Sequence, residues 1–222
     1  IDPFNGRADL RRKFIRAVGE GVFASDPIRL LRAVRIAAEL DFKIIRQTAA
    51  LMRHEAHLIN SAAGERIREE LLRILAVHDE EKALFNLDKS GVLTEIIPEL
   101  AETKGVAQPK EHFWNVFEHS LKTAAAVDFL LRRGNWEYQG EKVLASVPWE
   151  KEIELHFAEE ISHGSTRASL LKLAGLLHDI AKPQTKTTEA GGRVRFLGHA
   201  PDGAKAAAEI LTRLRFSSKE IK

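Results

Sequence analysis

The chain has 222 residues, of which 44% are apolar and 30% charged, a composition typical of a globular protein with a sizeable core. It contains no cysteine, so disulfides and thiolate metal sites are excluded, and any metal must be held by histidine and carboxylate groups. No apolar run approaches the roughly 18 residues that a membrane-spanning helix needs. We therefore expect no membrane partner and a cytoplasmic location.

The net charge of +2 conceals an uneven distribution. Residues 1–75 contain 14 Lys and Arg against 10 Asp and Glu, whereas the remaining residues contain 20 against 22. A mildly basic front part favours a phosphate-bearing partner such as RNA, although basic helix faces are also common as solvated surfaces.

Helical periodicity dominates the first hundred residues. Asp26-Pro27 is typical of a helix start, with the Asp26 carboxylate as the cap and a proline at the first helical position. The apolar stripe of the following helix consists of Leu30, Leu31, Val34, Ala37 and Ala38. Further helices are predicted from Ser61 or Gly64 and from Lys82 to Asp88. Pro98 interrupts the pattern, so we assign residues 1–100 to a first domain and 101–222 to a second.

The second domain is also predicted to be helical, with helices at 114–131, 168–181 and 204–214 and the start of another at Ser217-Ser218. A short β-hairpin is predicted between Thr185 and Phe196, around two consecutive glycines. The polar stretch 132–166 gives no clear pattern. The sequence therefore predicts an all-α protein with at most one short hairpin.

Asp26 and Arg29 lie three residues apart at the start of a predicted helix, so their side chains can point to the same side. A carboxylate only accepts hydrogen bonds and a guanidinium only donates them. Cytosine and adenine offer an amino donor beside a ring-nitrogen acceptor, whereas uracil and guanine offer a carbonyl acceptor beside an N–H donor. The pair therefore matches cytosine and adenine. The same spacing is also that of a helix cap with a surface ion pair.

Several segments around this pair follow one another in a recognisable order. They are Asp2-Pro3-Phe4-Asn5-Gly6, Asp9-Leu10-Arg11-Arg12, Arg16, Ser25-Asp26-Pro27-Ile28-Arg29-Leu30-Leu31-Arg32-Ala33-Val34-Arg35 and Glu65-Arg66-Ile67-Arg68-Glu69-Glu70-Leu71. Together they resemble the neck region of class II tRNA nucleotidyltransferases and poly(A) polymerases, over about the first third of the chain. In that family a Glu-Asp-x-x-Arg helix motif templates the incoming CTP or ATP. Ser25, Asp26 and Arg29 hold the matching positions, with serine in place of the glutamate.

The resemblance implies further binding residues in the neck. Arg32 and Arg35 match basic positions that face the triphosphate or RNA. Arg11, Arg12 and Arg16 are expected to contact RNA phosphates. An exposed basic face without a ligand remains the alternative for all five arginines.

The resemblance also implies a part that this sequence does not contain. The family transfers nucleotides with Mg²⁺ held by a pair of aspartates on an N-terminal α/β head, which we expect ahead of Ile1. Residues 1–222 alone are therefore expected not to polymerise nucleotides. The element around Glu65-Arg66 matches a segment that braces the neck, or is an ordinary amphipathic helix.

A second group of candidate residues lies towards the end of the chain. His178-Asp179 lies within an almost entirely apolar predicted helix, and His178 falls one turn after Ala174, so it is expected to be largely buried. Asp179 is near the helix C-terminus, where the helix dipole disfavours negative charge. A bound cation would offset both costs, and His119 and His199 on separate segments could contribute imidazole ligands. A lone buried histidine is more often a hydrogen-bonded core residue.

The order of these residues resembles the HD superfamily of metal-dependent phosphohydrolases: His119, then His178-Asp179-Ile180-Ala181-Lys182, then Gly198-His199. The resemblance implies a divalent metal at His119, His178 and Asp179, with His199 as a further candidate, and leaves the identity of the metal open. The usual last aspartate of the HD set has no evident counterpart, because Asp202 follows His199 too closely. The metal site is then incomplete in this sequence or lost in its lineage.

The leading hypothesis is a neck, body and partial HD domain of a CCA-adding or poly(A)-adding enzyme. Such an enzyme would extend the 3′ end of tRNA or another RNA from CTP or ATP. One alternative is an HD-type phosphohydrolase or cyclic phosphodiesterase, and another is a non-catalytic RNA-binding helical module. The sequence leaves open whether CC, A, CCA or poly(A) is added, and it leaves the oligomeric state open.

Overall fold

A computed structural model describes residues 1–77, 80–108, 113–134, 136–138, 140–189 and 191–222. The chain divides into two compact units, Ile1–Pro98 and Glu99–Lys222. This division falls two residues before the end of the first domain that the sequence predicts.

The first unit is helical, and its helices are α1 (Gly6–Arg12), α2 (Val22–Ser25), α3 (Arg29–Glu39), α4 (Arg46–Glu55), the 3₁₀ helix η1 (Ala56–Ser61), α5 (Gly64–Leu75), α6 (Glu80–Lys89) and α7 (Val92–Ile96). Two short strands, β1 (Phe14–Ile15) and β2 (Lys43–Ile44), pair in parallel. The strands flank α3 in the sequence and also contact it, so they fix the position of this helix in the unit.

Helix α3 lies at the centre of the first unit and packs against α5 and α6. Its residues Leu30, Leu31 and Val34 are completely buried, as are Leu71 and Ile74 of α5. Burial of each such side chain contributes about 1.5–3 kcal/mol. Because the apolar stripe faces the core, the arginines of α3 are placed on the other side of the helix.

The second unit contains most of α8 (Pro98–Thr103), then α9 (Val116–Arg132), α10 (Glu141–Ser146), α11 (Lys151–Ala158), α12 (Arg167–Leu177), α13 (Lys182–Thr185), α14 (His199–Arg213) and α15 (Ser218–Ile221). Strands β3 (Glu160–Ser162) and β4 (Ser165–Thr166) pair antiparallel, and so do β5 (Lys186–Thr188) and β6 (Val194–Phe196). The second pair is the predicted hairpin. The predicted all-α class is confirmed, and the described residues add the short pairs β1–β2 and β3–β4.

Helices α9 and α12 make the most extensive helix–helix contact of the second unit. Gly175 allows their close approach, because a Cβ atom at this position would lie 3.4 Å from Thr123 Cγ2 and 3.5 Å from the Ala124 amide nitrogen. A buried ion pair of 2.5 Å between Lys172 Nζ and Asp128 Oδ1 links the same helices. This contact brings the parts of the candidate metal site on α9 and after α12 together.

Two local predictions are wrong. Asp26 does not cap α3, which begins at Arg29 after a turn and has Ile28 as its N-cap residue without a side-chain hydrogen bond. The helix predicted at 168–181 ends at Leu177, and residues 178–181 form turns before α13 begins. In these turns Ile180 N donates to the Leu177 carbonyl at 3.1 Å and Lys182 N to the Asp179 carbonyl at 3.0 Å, and Pro183 belongs to α13. No helix in the described ranges is long and apolar enough to cross a bilayer.

Candidate nucleotide-binding face and candidate metal centre

Asp26 is held by an arginine from another helix. Arg66 of α5 contacts both carboxylate oxygens, with Nη1 3.0 Å from Oδ1 and Nη2 3.2 Å from Oδ2. Arg29 Nε and Arg32 Nη1 each lie 3.9 Å from Oδ2. The hydrogen bond from Arg66 and the positive charge of all three arginines lower the pKa of Asp26. Asp26 is therefore an ionised acceptor at neutral pH, in a strongly basic surrounding.

Arg29 points to the same surface as Asp26 and is 45% exposed. Its Nη1 donates to the carbonyl oxygen of Val22 at 3.1 Å and to Ser25 Oγ at 3.0 Å. The structure thus brings a carboxylate acceptor and a guanidinium donor together on one solvent-facing side of α3. This is the arrangement that base reading requires, and the role itself stays a prediction.

Arg32 and Arg35 share a buried carboxylate that was not among the predicted site residues. Arg32 Nε lies 3.0 Å from Glu70 Oε1, and Arg35 Nε lies 2.7 Å from Glu70 Oε2. Arg35 Nη1 also donates to both oxygens of Glu39 at 2.8 Å. Burial opposes the charge of Arg35, but hydrogen bonds to Glu39 and Glu70 raise its pKa. Arg35, only 15% exposed, therefore joins α3 to α5, whereas Arg32 is 43% exposed and accessible to a ligand.

The three arginines predicted to contact RNA phosphates differ in their surroundings. Arg16 makes a bidentate ion pair with Asp9, at 2.8 and 3.0 Å. Arg11 donates to the carbonyl oxygen of Arg7 at 3.3 Å, and Arg12 is exposed at the end of α1. Arg11 and Arg12 are thus available to a phosphate, and Arg16 is engaged within its own unit.

The candidate metal centre converges on Asp179. His178 Nε2 lies 3.0 Å and His119 Nε2 3.6 Å from Asp179 Oδ2, while His199 Nε2 lies 3.7 Å from Oδ1. One ligand atom from each of His119, His178 and Asp179 lies within 4.8 Å of the others. A cation with ligand bonds of about 2.1 Å separates neighbouring ligand atoms by roughly 3–4 Å. The carboxylate–imidazole distances therefore fit such an ion.

The imidazole rings are oriented by backbone carbonyls. His178 Nδ1 lies 2.8 Å from the carbonyl oxygen of Gly175, and His199 Nδ1 lies 2.6 Å from that of Phe196. In the neutral tautomer that donates from Nδ1, the Nε2 lone pair would be available to a cation beside Asp179. Despite its partial burial, the protonated His178 ring instead donates from Nε2 to the Asp179 carboxylate, which raises the pKa of His178. Fixing the tautomer through the distal nitrogen is how proteins prepare histidine ligands for a metal.

Lys182 is not among the predicted metal ligands, but in the structure it contacts Asp179 at the candidate metal centre. Its Nζ lies 2.7 Å from Asp179 Oδ2 and 2.6 Å from Gln108 Oε1. Burial alone would raise the pKa of Asp179, but His178 and Lys182 outweigh this effect and hold the pKa well below its usual range. A buried carboxylate kept ionised among imidazole nitrogens is a donor set suited to a divalent cation of the zinc or manganese type.

The expected burial of His178 is wrong. Its side chain is 38% exposed, and Asp179 is the buried member at 4%. Leu171 and Ala174 are exposed as well, and His178 follows them at helical spacing, so it lies on the outward-facing stripe of α12 even though the helix is almost entirely apolar. Glu70 is a different case: it is buried, but in the sequence it is only one of several acidic residues next to Leu71 on an amphipathic helix. That pattern does not predict that its carboxylate points into the core.

Two families match the sequence in consecutive segments. Residues 41–104 match the family described as probable RNA and SrmB-binding site of polymerase A, and residues 116–222 match the HD domain. The base-reading candidates on and before α3 lie ahead of the first match. The metal ligand candidates all lie within the second.

Curated relatives extend the similarity across the whole chain. An A-adding tRNA nucleotidyltransferase from Deinococcus radiodurans is 31% identical and covers 100% of this chain. A CC-adding tRNA nucleotidyltransferase from Thermus thermophilus is 34% identical and covers 96%. The chain spans less than half of these relatives, 45% and 43% of their lengths.

Solved structures show the same relationship. A tRNA nucleotidyltransferase in complex with a primer tRNA and an incoming ATP analogue has 27% identity and a TM-score of 0.52, over 80% of this chain and 42% of its own. A tRNA-processing enzyme at 22% identity and a TM-score of 0.58 shares the fold over 100% of this chain and 44% of its own. The chain therefore carries an RNA-binding segment of the polymerase A type followed by an HD domain, and over 96–100% of its length it is similar to part of tRNA nucleotidyltransferases.

Proposed function

We propose that the protein carrying this chain adds CMP or AMP, from CTP or ATP, to the 3′ end of a tRNA. The observation that supports this most directly is the pairing of Asp26 and Arg29 on one accessible side of α3. The carboxylate can accept from the amino group of cytosine or adenine, and the guanidinium can donate to the ring nitrogen beside it. Uracil and guanine would set donor against donor and acceptor against acceptor.

The chain would supply recognition rather than the transfer step. In-line transfer needs two Mg²⁺ ions that bind the triphosphate and activate the attacking hydroxyl. We propose that these ions are held by a catalytic domain outside residues 1–222. Within this chain Arg32 contacts the triphosphate, and Arg11 and Arg12 contact the phosphates of the RNA, while Arg16 stays in its ion pair with Asp9.

The experiment is a comparison of nucleotide selectivity in the full-length protein and in its Asp26→Ala and Arg29→Ala variants. The substrate is a tRNA transcript that lacks its 3′ end, offered with each of the four nucleotides. Loss of a bidentate base reader lowers discrimination by about 1–3 kcal/mol, so the preference for CTP and ATP over UTP and GTP should fall about 5- to 150-fold. Unchanged selectivity in both variants would refute the proposal.

A second function is supported by the candidate metal centre. The three imidazoles around Asp179 form a donor set that could hold a divalent cation against the phosphate of a nucleotide or RNA end. When bound, such an ion would polarise a phosphoryl oxygen and activate water. We propose that this unit is an HD-type phosphohydrolase, with hydrolysis of nucleoside 2′,3′-cyclic phosphates as the test reaction. Activity that survives in Asp179→Asn would contradict it.

A further inference from the structure

The guanidinium of Arg29 is anchored by the last turn of the short helix before it. Ser25 Oγ donates to the carbonyl oxygen of Val22 at 2.9 Å and accepts from Arg29 Nη1 at 3.0 Å. Arg29 Nη1 donates also to the Val22 carbonyl at 3.1 Å. The hydroxyl, the carbonyl and Nη1 thus form a closed triangle of hydrogen bonds. Carbonyls at the end of a helix lack intrahelical partners and readily accept from an arginine.

These hydrogen bonds determine which N–H groups of Arg29 remain available to a ligand. A guanidinium has five N–H groups in one rigid plane, and the two on Nη1 are committed to Val22 and Ser25. The edge formed by Nε and Nη2 remains, and Nε lies on the side of Asp26, 3.9 Å from Oδ2. Because the group is planar, fixing Nη1 at two acceptors fixes the direction in which this edge points.

We propose that Ser25 is a positioning residue for base selection, whose hydroxyl sets the plane of the Arg29 guanidinium. The inference depends on the base-reading role of Arg29 proposed above. The hydroxyl is uncharged, so it orients Arg29 without neutralising it. Among the described residues the carboxylate paired with Arg29 is that of Asp26, at 3.9 Å. Arg29 therefore keeps the strength of a charged donor towards a ring nitrogen.

Ser25 can be replaced without disturbing the core. The residue is exposed, so Ser25→Ala removes a hydroxyl and leaves no cavity. Arg29 would keep the Val22 carbonyl as an acceptor but lose the second point that defines its plane. Loss of this one hydrogen bond, at an exposed site where the Val22 carbonyl still holds Nη1, corresponds to about a 3- to 10-fold effect. We expect the ratio of kcat/KM for CTP or ATP to that for UTP or GTP to fall by this factor.

The experiment measures this ratio for the full-length protein and for four variants: Ser25→Ala, Ser25→Thr, Arg29→Ala and the double variant Ser25→Ala/Arg29→Ala. The threonine hydroxyl should restore the parental ratio. The double variant should equal Arg29→Ala, because Ser25 acts only through Arg29. A purely structural role for Ser25 would instead lower activity with every nucleotide and leave the ratio unchanged.

Ser61 provides a matched control. Its hydroxyl donates to the carbonyl of Leu58 at 2.8 Å, the same bond three residues back at the end of a helix. Ser61→Ala should leave the ratio at the parental value. If Arg29→Ala lowers selectivity and Ser25→Ala does not, the positioning role of Ser25 is refuted while the base-reading role of Arg29 stands. If Arg29→Ala itself has no effect on selectivity, both proposals fail.

Discussion

Arg66 holds Asp26 in a two-point contact, with Nη1 3.0 Å from Oδ1 and Nη2 3.2 Å from Oδ2. The residue that would accept from a base is thus oriented from α5, forty positions further along the chain. A fork of two parallel donors fixes the plane of a carboxylate, whereas a single ammonium does not.

The first prediction concerns this contact. Arg66→Ala should lower the preference for CTP and ATP over UTP and GTP, because the Asp26 carboxylate would then rotate freely. Arg66→Lys should restore charge but not selectivity, since lysine offers no fork. The measurement is single-turnover addition to a tRNA that lacks its 3′ end. Equal selectivity in the alanine variant and the parent would show that Arg66 does not orient Asp26.

The second prediction concerns the stability of the first unit. Glu70→Ala should lower the free energy of unfolding by about 1–3 kcal/mol, because it removes a buried acceptor shared by Arg32 and Arg35. Glu39 is the matched control: it also binds Arg35, but it is 40% exposed, so Glu39→Ala should cost less than about 1 kcal/mol. Urea denaturation gives both values. Equal losses would mean that burial of Glu70 contributes nothing.

The third prediction concerns the contact between α9 and α12. Gly175→Ala should change stability little, because the 3.4 Å contact with Thr123 Cγ2 is offset by the better helix propensity of alanine. Gly175→Leu should cost about 1–3 kcal/mol through overpacking and should also weaken metal binding, since it pushes His119 away from His178. Thermal melting and Mn²⁺ titration are the two measurements. If Gly175→Leu melts at the parental temperature and binds Mn²⁺ with parental affinity, the close packing of α9 against α12 at this position is refuted.

The fourth prediction concerns metal binding itself. Isothermal titration of the purified chain with Mn²⁺ or Zn²⁺ should show one site that weakens at least about tenfold in His119→Ala and Asp179→Asn. His57 is exposed and belongs to the first unit, so His57→Ala should bind like the parent. If the Asp179→Asn chain binds the metal with parental affinity, the ion is held elsewhere.

The fifth prediction concerns residues 1–222 taken alone. Incubated with Mg²⁺, CTP, ATP and a tRNA that lacks its 3′ end, the chain should add no nucleotide, because Asp26 and Arg29 can bind a base but cannot hold two metals against a triphosphate. Weak RNA binding should remain and should fall as salt rises. Addition of a single C or A by a preparation free of other polymerases would place the catalytic centre in this chain.

Much of this architecture could be predicted from the sequence. The periodicity of Leu30, Leu31 and Val34 identified the buried side of α3, and the two turn glycines identified the β5–β6 hairpin. The order of His119, His178 and Asp179 identified residues that the fold brings together. These signals are local or are carried by the resemblance to known families.

The remaining features depend on contacts that are distant in the sequence. No residue near Asp26 in the sequence indicates that its carboxylate pairs with Arg66. Because it does, the carboxylate does not cap α3. Glu70 appears as one acidic residue among several on α5, and only packing against α3 turns it inwards. The exposure of His178 depends on which side of α12 packs against α9: His178 shares the exposed side with Leu171 and Ala174, and a helix that is apolar on almost every side does not reveal this from its sequence.

The parallel pairing of β1 with β2 has a consequence for how the proposed nucleotide-binding face can change. Lys43 N donates to the carbonyl of Lys13 at 2.8 Å and Ile45 N to that of Ile15 at 3.2 Å, so α3 lies between two segments joined through their backbones. Backbone hydrogen bonds persist when side chains are exchanged. Substitutions on the outer surface of α3 therefore change the proposed nucleotide-binding face while the helix stays in place, so this face can vary independently of the fold.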